Sequence, residues 1–372
     1  MNDYTLFLTQ RCKTPSEAFS TPKGAIFPVA DLVARDAAIK MSRIGYDGLR
    51  VAGELVEVGG KVVFRPDLEG KLQPIDSYIL DSQQNREGCL LRYEAPLTIE
   101  GRVPEGAYII SVDPIGQNTS AGKSLTSIIV MKTPRYEHMF GPEKVVMVYR
   151  GRNSENPQGY VHELLIKLSV YYNAMITYEN DRDGGIYQYF LRKGQLGRLM
   201  SKPEMTMSKY ITNSKTILRE YGHSMATDRH KTIGEGLLLE GLLKRHKKRK
   251  LADDAGNVYE VGDLRNLDML EDKALIEELI AYNRDGNFDV VMAMMGAIIQ
   301  LNEHYNEDFL EQYQYDRADI SSFLMELYTK KYGSEREKYD VAMKKSKNRL
   351  SDRRSVSHEI DDVDSTDLGT DG

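Results

Sequence analysis

Three acidic residues stand at positions where the sequence could use them for chemistry. Asp113 closes the apolar run Ala107–Val112 and is followed by Pro114; Glu179 closes the run Ala174–Tyr178; Asp289 lies at the start of a strongly apolar segment that follows Gly286-Asn287-Phe288. A carboxylate at the C-terminal end of a strand is where an open α/β sheet presents its ligands. Each acid also has a plain explanation. Asp-Pro starts turns, and an acid beside a helix start caps it or answers its dipole. Taken together they make a more specific constellation. Oxygen-only donor sets suit hard divalent cations, and two such ions about 3.5–4 Å apart can clamp the attacking and leaving oxygens of a phosphodiester displacement.

A competing phosphate site is present in outline only. Gly116–Ser124 ends in Gly-Lys-Ser after a strand, but five residues separate Gly116 from Gly122 where a Walker loop has four. The residues after Ser124 (Leu-Thr-Ser-Ile-Ile-Val-Met) read as a strand, whereas a phosphate-cradling loop opens into a helix. The seven histidines are scattered, with no His-Glu-x-x-His and no Gly-x-Ser-x-Gly, so zinc hydrolysis and serine nucleophiles find no support. The methionines after Asp289 read as core filling. The basic cluster Lys244–Lys250, with Lys193, Arg198, Lys202 and Lys231, could form a phosphate-contacting groove or simply a solvated helix end.

The elements that must position the acids follow from hydrophobic periodicity. Val29–Met41 reads as a helix after a Pro-punctuated start, and Leu55–Val58 and Lys61–Phe64 flank Gly59-Gly60 as a β-hairpin. Residues 65–106 read as loops with a short apolar piece at Leu90-Leu91. Runs at 107–112, 125–131 and 145–149 suggest a meander of strands. A helix over 159–172, a strand over 174–178 and a helix over 184–193 bring in α/β alternation and a parallel part to the sheet. Further helices are expected over 231–244, 271–282, 288–303 and 307–332. From Gly333 on, apolar residues thin out and charges cluster, basic at 344–354 and acidic at 359–371, as in a disordered tail.

Composition sets the outer bounds. The chain has 372 residues, 41% hydrophobic and 28% charged, with a formal net charge of -6, which suits a folded globular protein and announces no nucleic-acid partner by overall charge. Any basic surface must be local. Cys12 and Cys89 are far apart and have neither zinc nor redox spacing, so both read as reduced thiols. No apolar run reaches the length of a membrane span and no secretory signal opens the chain, so no membrane association is expected and the cytoplasm is the default location.

Several short segments, in order, resemble the C-terminal nuclease half of the large terminase subunit of tailed bacteriophages. They are Thr14-Pro15-Ser16-Glu17-Ala18-Phe19 with Ile26-Phe27-Pro28-Val29, Tyr108–Pro114 with Ser124-Leu125-Thr126-Ser127, Tyr178-Glu179-Asn180, and Asn287-Phe288-Asp289; together they span roughly residues 12 to 305. The resemblance implies an α/β, ribonuclease H-like mixed sheet flanked by helices over residues 101–305. To this are added a lead-in with a β-hairpin over 1–100, a C-terminal helix over 306–332 and a disordered tail over 333–372. It implies a metal-dependent endonuclease cutting concatemeric viral DNA during genome packaging, with two Mg²⁺ or Mn²⁺ ions held by Asp113, Glu179 and Asp289. The implied partners are double-stranded DNA, a packaging ATPase domain on another chain, the small terminase subunit and the portal, inside a bacterial host. Where relatives carry another acid or an arginine after the late aspartate, Val290 and Val291 follow here, with Asp285 as a nearby helper. The alternative is a non-catalytic subunit that docks DNA or portal through the same fold.

Overall fold

The computed structural model describes residues 25–78, 85–115, 125–152, 155–181, 185–203, 221–246, 249–252, 258–261 and 264–309. The Gly-Lys-Ser loop, the 307–332 helix beyond Phe309, the tail and Cys12 lie outside the described residues.

The centre is a seven-stranded mixed sheet in the order β2-β1-β3-β6-β5-β4-β7. Its strands are β1 (Val51–Val58), β2 (Lys61–Pro66), β3 (Leu90–Arg92), β4 (Tyr108–Asp113), β5 (Thr126–Lys132), β6 (Val145–Gly151) and β7 (Met175–Tyr178). All pairs are antiparallel except β4 with β7. Every residue of β4, β5 and β6 is buried, which explains why these strands read as continuous apolar runs. Around the sheet lie α1 (Val29–Met41), the single turn α2 (Glu137–Phe140), α3 (Pro157–Tyr172), α4 (Ile186–Arg192), α5 (Asp228–Leu243), α6 (Lys273–Ala281) and α7 (Asp289–Phe309). This mixed α/β arrangement is consistent with the ribonuclease H-like fold expected from the resemblance.

Local chemistry accounts for the boundaries. Gly59 (φ 57°) and Gly60 (φ 74°) supply the two positive φ values that a tight hairpin turn between β1 and β2 requires. Asn156 caps α3 by accepting from the Gly159 amide, Pro157 occupies the first turn, and Asn173 ends the helix in the left-handed region. Asp272 caps α6 through the Leu275 amide at 2.7 Å.

Two apolar clusters sandwich the sheet. On one face Ile110, Val112, Ile128, Val130, Met147, Tyr149 and Ile176 pack with Val161, Leu165 and Leu168 of α3. On the other, Ile109, Ile129, Met131 and Val148 pack with Val290, Met294, Ala297 and Ile298 of α7 and with α6. Burial of one such side chain contributes about 1.5–3 kcal/mol, so the N-terminal half of α7, from Val290 to Leu301, is held against the core, and its first residue is correspondingly fixed.

Three elements differ from the sequence expectation. The hairpin is continuous with the central sheet, because β1 pairs with β3 and β3 with β6. The basic cluster is not one helix end. Helix α5 stops at Leu243, His246 is buried, and Arg249–Ala252 pairs as β8 with β9 (Val258–Val261) in a separate two-stranded ribbon. The helix starting at Asp289 runs through residues 303–307, where a break was expected, because Asn302–Asp308 contains neither Gly nor Pro to stop it.

Candidate functional site

The three sequence-predicted acids come to one end of the sheet, on the face that α7 covers. Asp113 is the last residue of β4 and is 3% exposed. The parallel register of β4 and β7 runs Ser111 with Thr177 and Val112 with Tyr178, and the Glu179 amide donates to the Val112 carbonyl at 3.0 Å. Glu179 is therefore the next neighbour of Asp113, and it is 6% exposed. On the other side, Asp113 pairs with Ser127 and Ser127 with Arg150. Residues paired across strands share a face, so Glu179, Asp113, Ser127 and Arg150 form one polar row.

Asp289 enters from above the sheet. It begins α7, is 3% exposed, and its Oδ2 accepts from the Leu125 amide at 3.2 Å and from Asn287 Nδ2 at 3.1 Å. Leu125 immediately precedes β5, so this contact ties the helix start to the strand beside Asp113. Asp285, the expected helper, is exposed in the preceding turn.

Sequence reasoning missed a fourth buried acid. Glu278 of α6 is fully buried; its Oε2 accepts from the amides of Val290 (2.9 Å) and Val291 (3.1 Å), and its Oε1 lies 2.9 Å from Arg150 Nη2. Burial pushes its carboxyl up to about 8, with Asp289 adding to the rise and Arg150 and the two amides opposing it. The Tyr78 hydroxyl is also raised, by burial first and then by Glu278 and Asp289. The signal was present: a glutamate inside Ala-Leu-Ile-Glu-Glu-Leu-Ile-Ala and an arginine inside Val-Val-Met-Val-Tyr-Arg are charges in otherwise apolar settings, and such residues are rarely buried without a partner.

Behind the acids lies a second polar layer. His223 bridges to Glu179 on the side away from β4, and its Nδ1 sits 2.8 Å from Thr177 Oγ1. Burial lowers its pKa to about 4. The ring is neutral, and because Gln300 Nε2 already donates to Thr177 Oγ1 at 3.3 Å, the threonine hydroxyl is free to donate to Nδ1. Gly296 of α7 leaves room for the His223 ring and for Ser111 Oγ.

The donor set suits a hard divalent cation by chemistry, since carboxylate oxygens dominate it. Asp113 and Glu179 are the adjacent pair that would hold it. Among the described residues, no group of three or more His, Cys, Asp or Glu side chains is arranged to hold an ion. Of the expected basic groove, Lys193 is paired with Glu163, and Arg198 bonds to Gln195 and Ser169. Among the described residues no helix is long and apolar enough to cross a membrane.

No protein-family model matches the chain, and no curated protein matches it. Among solved structures it is similar to the crystal structure of the large terminase nuclease from thermophilic phage G20c, at 13% identity and a TM-score of 0.29 over 58% of this chain and 90% of that one.

Proposed function

We propose that this chain is a divalent-cation-dependent DNA endonuclease of the terminase type, cutting concatemeric viral DNA as a genome is packaged. What supports the reading is that Asp113 and Glu179 are neighbours at one buried end of the sheet and that Asp289, at the start of α7, is tied to the Leu125 amide just before the adjoining strand β5. Carboxylates buried at neighbouring positions are costly to desolvate, and a divalent cation is one group that offsets that cost.

Asp113 and Glu179 would hold the cations from the sheet, and Asp289 from the helix start. Mg²⁺ or Mn²⁺ bound there would supply the Lewis acidity that activates water and stabilises the leaving 3′ oxygen of a phosphodiester. The residues of the chain do the rest. The sheet fixes the spacing of Asp113 and Glu179 through the β4–β7 register, the Leu125 amide and Asn287 orient Asp289, and Arg150 offsets part of the negative charge. A packaging ATPase on another chain, the small terminase subunit and the portal are the partners this function calls for. In the test, supercoiled plasmid is incubated with the purified chain and Mn²⁺, Mg²⁺ or EDTA. Nicking and linearisation with either metal and none with EDTA is the expected outcome; an intact plasmid under every condition would favour the non-catalytic docking role instead.

A further inference from the structure

Asp289 sits at the first residue of α7, so whatever holds the start of that helix sets where its carboxylate points. The first amides of a helix have no partner within it and are ordinarily capped by the side chain just before. Here that residue is Phe288, which has no polar atom to offer. The cap comes from a different helix. Glu278 Oε2 accepts from both Val290 and Val291, and Glu278 Oε1 faces Arg150 Nη2 at 2.9 Å.

Arg150 belongs to the row that contains Asp113 and Ser127, and its Nη1 donates to the Ser77 carbonyl at 2.7 Å. A continuous polar path thus runs from the sheet through Arg150 and Glu278 to the amides that follow Asp289. The aromatic ring of Phe288, stacked on Tyr78 at 4.9 Å, holds the same turn from its apolar side.

A buried carboxyl facing a buried guanidinium is a poor way to stabilise such a place. Both groups lose their hydration, and a well-packed apolar pair of the same volume is often as stable or more so. What an apolar pair cannot do is accept two backbone amides while reaching back to the sheet. We infer that Glu278 is a positioning residue of the cation-holding site, anchored by Arg150: it fixes Asp289 relative to Asp113 and Glu179 without touching ion or substrate. The inference rests on the nuclease reading above and assigns that site a supporting shell.

The test measures Mn²⁺ binding to the full chain by titration calorimetry, with the thermal midpoint recorded for each variant. Glu278→Gln and the apolar double variant Arg150→Met/Glu278→Leu should weaken Mn²⁺ binding about 10–100-fold, the range seen when supporting partners of metal ligands are removed. Glu94→Gln, which disturbs the half-buried pair that Glu94 makes with Lys132 of β5, should leave Mn²⁺ affinity unchanged. The double variant should keep a cooperative transition near the wild-type midpoint, so that its loss of affinity is not a loss of fold. Wild-type affinity in a folded double variant, alongside abolished binding in Asp113→Asn, would overturn the positioning role and leave the nuclease reading standing. Failure of both Glu278 variants to fold would make Glu278 a stability residue and overturn the inference as well. A wild-type chain that binds no Mn²⁺ would remove the nuclease reading and the inference together.

Discussion

Glu179 sits directly beside Asp113 across the parallel β4–β7 pair, locked there by its own amide donating to the Val112 carbonyl at 3.0 Å. Burying two carboxyl groups at neighbouring positions is costly in itself, and Asp289 stands at the helix start above them. On the proposed reading, a cation bound beside this pair offsets the cost of burying it.

Cation binding should accordingly stabilise the protein. At about a hundred times its dissociation constant, Mn²⁺ adds about 2.7 kcal/mol to the folded state, or roughly 5–10 °C in thermal midpoint for a domain of this size. Thermal unfolding with Mn²⁺ and with EDTA checks this. The shift should be absent in Asp113→Asn.

His223 should make stability fall in mild acid. Burial depresses its folded pKa to about 4 from an ordinary value of 6.5, so between those values the unfolded chain binds a proton that the folded chain does not. The contribution is fully present above pH 6.5 and is lost as pH falls toward 4, amounting to ~2 kcal/mol by pH 5. Denaturant unfolding of wild type and His223→Gln at pH 7 and pH 5 isolates the effect: the difference in stability between them should shift by that amount against the wild type. A constant difference would mean that His223 is not the neutral, buried ring described here.

Gly296→Ala should destabilise the protein although alanine favours helices by about 1 kcal/mol. The new methyl group would fall on the His223 ring and within 2.8 Å of Ser111 Oγ, and the ring cannot swing aside without giving up Thr177. Overpacking of this kind costs about 1–3 kcal/mol, leaving a net loss of up to about 2 kcal/mol. The loss should shrink in Gly296→Ala/His223→Ala, a non-additivity that a double-mutant cycle reads directly.

Much of the frame could be read from the residues. Fully buried β4, β5 and β6 appear as unbroken apolar runs with sharp polar ends, so Asp113 and Glu179 were visible as the residues at which two runs stop. Asp289 was visible because an acid opening so apolar a helix stands out. What stayed hidden depends on partners distant in the chain. Arg150 meets Glu278, and His223 meets Thr177 and Gly296, only after the sheet and α7 pack. Nothing in the local pattern around any of them specifies the other. The joining of the hairpin to the main sheet was hidden for the same reason: it depends on β3, three residues long, whose pairing on both sides is a tertiary fact. Strand β8 was hidden because it opens on Arg249-Lys250, the end of the basic cluster, and carries no period-2 alternation.

The decisive experiment is plasmid cleavage in Mn²⁺ by Asp113→Asn, Glu179→Gln and Asp289→Asn, each first shown to unfold cooperatively. The nuclease reading requires all three to lose at least a hundredfold in rate, roughly the scale on which a group that stabilises the transition state acts, while remaining folded. Any one of them cutting at the wild-type rate would contradict the claim that these three carboxylates form a single catalytic centre.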